Sequence, residues 1–276
     1  MGSIAGIAFF LGVVAYSVSA TLFFVELVRR PERGAPPRVS GIAAMVLLIG
    51  TVFHSTHLVV TSFLTNTCPV ASMPFALSLG ALLTNAAYLT LRVRRGLTPL
   101  GVVAAPMALC FLVGAQFVQA TTAPEELPTG LLAMHVAANL FGFGLFLLAG
   151  AASAFYLFQE RRLKNKQRAL SGGRLPALDL LDVTEHRLLL AGFPLLTFGV
   201  VTGAYFLSAL PSVAQGDLWR SAMGMLSWVI VAGVLLARTA LGWRGRKTAY
   251  GTLAGVVCFL LVLCAYVVRA GGSVPV

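Results

Sequence analysis

Apolar residues run through this chain in long blocks, broken at regular intervals by short clusters of arginine, lysine, glycine and proline. A bilayer core of about 30 Å takes roughly 20 residues of helix. Eight stretches reach that length: 4–28, 41–64, 73–93, 99–119, 130–158, 188–210, 221–241 and 249–268. The pattern predicts an all-α integral membrane protein, a bundle of about eight transmembrane helices. No soluble block separates the runs, so residues 1–276 read as one membrane domain. The first run has no basic residue ahead of it and is followed by Arg29 and Arg30, an order that predicts a retained helix and not a cleaved signal. The only sizeable extramembrane piece is the basic segment 159–187, QERRLKNKQRALSGGRLPALDLLDVTEHR. Its first part extends the fifth helix beyond the membrane. After the break at Ser171-Gly172-Gly173, LPALDLLDVTEHRLLL has the spacing of a short amphipathic helix lying at the interface.

Composition agrees. Of 276 residues 58% are hydrophobic and 11% charged, with a mean hydropathy of +0.88. So few charges cannot cover a water-facing surface. The net charge of +11 is explained by topology, which removes nucleic acid as a partner. Eighteen of the 20 basic residues fall in 29–40, 92–98, 159–187 and 238–247, and only Arg220 and Arg269 lie opposite. Basic loops mark the cytoplasmic side, so both termini are expected outside, in a multi-pass protein of the cell inner (plasma) membrane. Cys68, Cys110, Cys258 and Cys264 form no CxxC or CxxCH spacing. The nine acidic residues are expected almost entirely in loops, which disfavours a carboxylate-driven transporter. A permease is further disfavoured because no paired inverted repeats or broken helices are visible. No GxSxG, GxxxxGK[ST] or HExxH string is present, so hydrolytic and phosphoryl chemistry have no carrier. Trp219, Trp228 and Trp243 read as interface anchors, and the outer loops offer Glu125, Glu126 and Asp217.

Histidine is the informative residue type. Ionisable groups at membrane depth are functional candidates by default. His54 and His57 are spaced i, i+3 in the second run and share a face. Counting from Gly41, His57 lies about 24 Å along the helix, in the half of the bilayer away from the basic loops. His135 comes just inside the start of the fifth run, at a similar depth, with Asn139 one turn on. His186 is on the basic side. Neutral imidazoles facing an apolar slot suit axial ligation of haem iron. Hydrogen bonding between helices is the alternative use. Phe141, Phe143 and Gly142, Gly144 and Gly150 suit either a planar ligand or close helix packing.

Four strings in order, HSTHLVV with CPVASMPFALSLGALLTNAAYL, MHVAANLFGFGLFLLAGAASAFYLFQERRLK, LPALDLLDVTEHRLLLAGFPLLTFGVVTGAYF and LARTALGWRGRKTAYGTLAG, span most of the chain. Together they resemble the cytochrome c assembly protein family of the CcsA/ResC type, with its HemX-like branch. The resemblance implies that haem, expected as haem b, is bound in the outer half of the bundle for delivery or supply. It matches His135 to the family's first external histidine and His54 or His57 to a membrane-embedded one, so the iron ligands would be His135 with His57 or His54. It also implies apocytochrome c and a second assembly subunit as partners, besides the lipid bilayer. Two features of the pattern are missing: 211–222 reads PSVAQGDLWRSA in place of a WxWDxxE signature, and the tail CAYVVRAGGSVPV lacks a second external histidine. No catalytic residue is assigned, and these losses argue against haem-lyase activity. They favour a HemX-like relative, with a regulatory or scaffold protein that binds partners without haem transfer as the alternative.

Overall fold

The computed structural model describes residues 2–28, 38–65, 73–117, 129–164, 176–209 and 211–271. Among them are eight α-helices: α1 Gly2–Val28, α2 Arg38–Thr65, α3 Met73–Arg95, α4 Gly101–Phe117, α5 Thr129–Lys164, α6 Leu178–Ala209, α7 Pro211–Ala240 and α8 Arg246–Gly271. A single 3-10 turn, Thr98–Leu100, leads into α4. Six of the helices are long and apolar enough to cross a bilayer, and Gly224–Ala240 is a shorter apolar stretch. Large apolar side chains such as Phe10, Met45, Phe63 and Leu236 point outward, as a lipid-facing surface requires.

Helices successive in the chain run antiparallel, in two groups. α1 packs on α2 and α4, and α3 on α4; α5 packs on α6 and α8, and α7 on both α6 and α8. The groups meet where α5 lies against α3 and α4. Small residues permit these approaches. A Cβ on Gly144 of α5 would run into Thr84 of α3, and one on Gly50 of α2 would come within 2.7 Å of the Tyr16 ring. The core between helices centres on Tyr16, Leu47, Tyr88, Leu112, Phe146 and Leu189.

The alternation gives the bundle two distinct ends. At one, α3 ends in Arg92, Arg94 and Arg95, and α5 in Arg161, Arg162 and Lys164. With 36 residues α5 is about 54 Å long, so its last turns stand clear of a bilayer core, as the fifth run predicts. The opposite end, where α2, α4 and α6 finish, carries His57 and His135.

Four expectations are corrected. The interface helix at LPALDLLDVTEHRLLL is the beginning of α6 itself, and its polar residues Asp182, Thr184 and Glu185 are buried between helices. Residues 211–222, expected as a loop, are helical and open α7, so Asp217 and Trp219 fall in a helix. Acidic residues are therefore not confined to loops: Glu26, Glu160, Asp179, Asp182, Glu185 and Asp217 are all helical. Trp228 is not an interface anchor. Its indole N–H donates to Thr197 Oγ1 of α6 at 2.9 Å and its ring stacks on Phe193. Cys68, Glu125, Glu126, Arg29, Arg30 and positions 165–175 of the basic segment lie outside the described residues.

Candidate functional site

His135 sits one and a half turns into α5, facing α6. Asn139, one turn further, donates from Nδ2 to the His135 carbonyl at 2.8 Å and reaches His135 Nε2 at 3.2 Å. A carbonyl only accepts, so the amide nitrogen faces the ring, and Nε2 must be the bare, accepting nitrogen of a neutral imidazole. The proton is then on Nδ1, which donates to Thr202 Oγ1 at 2.6 Å. Thr202 in turn donates to the Phe198 carbonyl at 2.6 Å, so its single hydrogen is already committed. On α6, Gly199 and Gly203 leave the space this pair fills: a Cβ on Gly199 would collide with the Asn139 amide, and one on Gly203 would lie 3.5 Å from the imidazole. Phe206 meets the ring edge-on at 5.3 Å between centroids.

His57 repeats these roles on α2. Its Nδ1 lies 2.9 Å from the Ala5 carbonyl of α1, which fixes the proton on Nδ1. Nε2 is again bare and accepts from the Gln116 amide of α4 at 3.2 Å. The Phe9 ring is tilted against it at 5.3 Å.

His54, one turn deeper, is fully buried and differs in kind. Its Nδ1 lies 3.2 Å from the Tyr16 hydroxyl of α1, which also accepts from Asn85 Nδ2 of α3 at 3.2 Å. Asn85 Nδ2 reaches Thr51 Oγ1 as well, at 3.4 Å. His54 Nε2 and Asn85 Oδ1 are buried and have no hydrogen-bond partner. This four-residue cluster joins three helices.

The structure thus brings His54 and His57 together against α1 and holds His135 separately against α6. α2 packs on α1, α3 and α4, whereas α5 packs on α3, α4, α6 and α8. Among the described residues no three His, Cys, Asp or Glu side chains gather as a metal-binding set. The donor set that remains is two neutral imidazoles, each anchored through Nδ1–H and offering Nε2. Metal-bound histidine takes this form, its second nitrogen hydrogen-bonded to a carbonyl or a side-chain oxygen. The residues present therefore fit an iron porphyrin as single-imidazole ligands.

The sequence singles out the three histidines and Asn139 as candidates, but not the Tyr16, Asn85, Gln116 and Thr202 that hydrogen-bond with them. Each is a polar residue interrupting an apolar run, which was the available signal. Nor does it single out a polar cluster at the basic end. There Asp182 accepts from Arg238 through both oxygens, at 3.0 and 2.5 Å, and from the Gly245 backbone N–H at 2.7 Å. Gly245 has a φ of +66°, which presents that N–H from the α7–α8 turn. Nearby, Thr252 of α8 donates to Glu185 at 2.6 Å. His186 belongs to this end and takes no part in the histidine sites.

The chain is thus an all-helical, multi-pass membrane bundle with neutral imidazoles at one end and a charge clasp at the other. The Cytochrome C assembly protein family matches residues 37–274, and the chain belongs to it. It is 27% identical over 196 residues to the cytochrome c biogenesis protein CcsA of Prochlorococcus marinus (strain MIT 9303), covering 58% of this chain and 60% of that protein. To the CcsA of Picosynechococcus sp. it is 35% identical over 100 residues, 33% of this chain and 28% of the relative. To that of Synechococcus sp. (strain CC9311) it is 24% identical over 248 residues, 79% of each. The chain therefore spans about 60% of the Prochlorococcus relative's length and under a third of the Picosynechococcus one. No solved structure matches it.

Proposed function

We propose that this protein handles haem in cytochrome c biogenesis, binding haem b at its histidine end and supplying it for attachment to apocytochrome c, together with a second assembly subunit. The basic end faces the cytoplasm and the histidine end faces out. One observation supports the reading above the rest: His57 and His135 both carry the proton on Nδ1 and turn a bare Nε2 toward a displaceable amide. His135 is the ligand in the α5–α6 pair and His57 the ligand in the α1–α2 pair. His54, tied into the Tyr16–Asn85 cluster, serves to hold helices together.

Haem, when bound, supplies the porphyrin iron and the vinyl groups that cytochrome c attachment uses. This chain's residues do the holding. Ala5 and Thr202 fix the ring orientation and the tautomer, and Phe9 and Phe206 pack against the two imidazoles. Lyase chemistry is assigned to partners, because 211–222 reads PSVAQGDLWRSA in place of a tryptophan-rich signature.

The competing reading is a HemX-like scaffold without haem, in which the same imidazoles are interhelical hydrogen-bonding groups. It is favoured by the fact that His57 and His135 already bridge neighbouring helices. Oxidised and dithionite-reduced absorption spectra of the detergent-purified protein separate the two. The haem reading expects a Soret band that is diminished in His135→Ala and in His57→Ala and unchanged in His186→Ala. Equal spectra in all three variants, or a wild type that stays colourless with added hemin, transfers the assignment to the scaffold.

A further inference from the structure

The structure assigns Gln116 and Asn139 a role of their own: they are stand-ins for the iron, amide donors that occupy the coordinating nitrogens of His57 and His135 until haem arrives. The inference rests on the haem reading above and adds the residues that control loading. Both sites use the same chemistry from different helices. Gln116 reaches across from α4 to α2, and Asn139 reaches back along α5. Neither amide nitrogen has a lone pair to offer, so neither can ligate iron; each can only block or yield.

An amide also suits the task better than a charged or acidic donor. A bare imidazole nitrogen in an apolar wall costs free energy if it has no partner. A lysine or arginine there would satisfy it but would repel the cationic iron. A carboxylic acid could give up its proton and convert the ring to imidazolium, which cannot bind metal. An amide N–H holds the lone pair without protonating it. The two stand-ins differ in freedom. Gln116 is exposed, whereas Asn139 is half-buried beside Gly199 and spends its other N–H on the His135 carbonyl. Iron should therefore displace Gln116 more readily than Asn139.

The experiment isolates each site. Hemin affinity is measured by spectral titration of purified protein in nanodiscs, with Gln116→Leu in the His135→Ala background and Asn139→Leu in the His57→Ala background. Removing the donor leaves Nε2 unsatisfied in the empty protein, so affinity is expected to rise about fivefold at each site, the equivalent of one ordinary hydrogen bond. Affinity that is unchanged or lower, while the parent backgrounds bind hemin, overturns the stand-in role and leaves haem binding intact. Parent and wild-type proteins that take up no hemin overturn the haem reading, and this inference with it. A second readout needs no haem: nitrogen NMR of histidine-labelled, haem-free protein is expected to show Nδ1 protonated and Nε2 bare at both positions. The Nε2 signals should move in Gln116→Leu and Asn139→Leu. The opposite tautomer at either histidine removes that residue's stand-in even if hemin binds.

Discussion

The two ends of the bundle solve the problem of polar groups in lipid in opposite ways. At the basic end, Asp182 is firmly held: two bonds from Arg238 and one from the Gly245 backbone surround a carboxylate whose side chain is 9% exposed. At the histidine end the contacts are neutral, and those that reach the Nε2 nitrogens are longer amide–imidazole bonds of 3.2 Å. A charged, firmly held clasp resists exchange, because removing either partner leaves the other buried without compensation. Neutral bonds of about 1 kcal/mol can be swapped for a ligand. On the proposed haem reading, the difference separates a part that stays shut from a part that changes partners.

The comparison is tested most severely at the clasp. Asp182→Ala should lower the stability of the detergent-solubilised protein by about 3–5 kcal/mol, because Arg238 is stranded. Pairing Asp182→Leu with Arg238→Met should recover most of that loss in a thermal unfolding series. A single variant as stable as the wild type would show that the clasp holds nothing. Next in size is Gly199→Ala, whose Cβ has no room beside the Asn139 amide. We expect a loss of about 1–3 kcal/mol from overpacking, with the α5–α6 contact loosened and His135 displaced. An unchanged His135 nitrogen spectrum in that variant contradicts the fit described here. The smallest effect belongs to Tyr16→Phe, which removes one hydroxyl from the His54 cluster and should cost about 1 kcal/mol in the same unfolding series. Hemin binding should stay as in the wild type, and a change there would move His54 from the scaffold into the site.

Much of this architecture was legible because lipid imposes a simple rule: apolar runs of fixed length must become helices. The runs around 4–28, 41–64 and 73–93 came out within a few residues of α1, α2 and α3. Reading failed where a polar residue inside a helix was taken for the edge of one. Asp182 and Glu185 looked like the wet face of an interface helix, yet they are the buried face of α6. Periodicity reports that polar residues share a side but does not say whether water or Arg238, 56 residues away, waits there. The histidines were legible by type and depth. Their partners were not, because Ala5 contributes only a backbone carbonyl and Gln116 is joined to His57 across 59 residues. Which helices touch decides such pairings, and hydropathy does not encode contact.

The spacing of the clasp along the chain also bears on how the protein is made. α6 leaves the ribosome with Asp182 and Glu185 already in place, while Arg238 follows 56 residues later and the Gly245 amide 63 residues later. At about 5–20 residues per second, the acids wait roughly 3–13 s for their counterparts. During that interval α6 must keep its first turns at the water boundary or in the insertion machinery, and it can seat fully only when the α7–α8 turn arrives. The expected consequence is that a chain cut short before Arg238 presents an unneutralised Asp182 at the membrane surface.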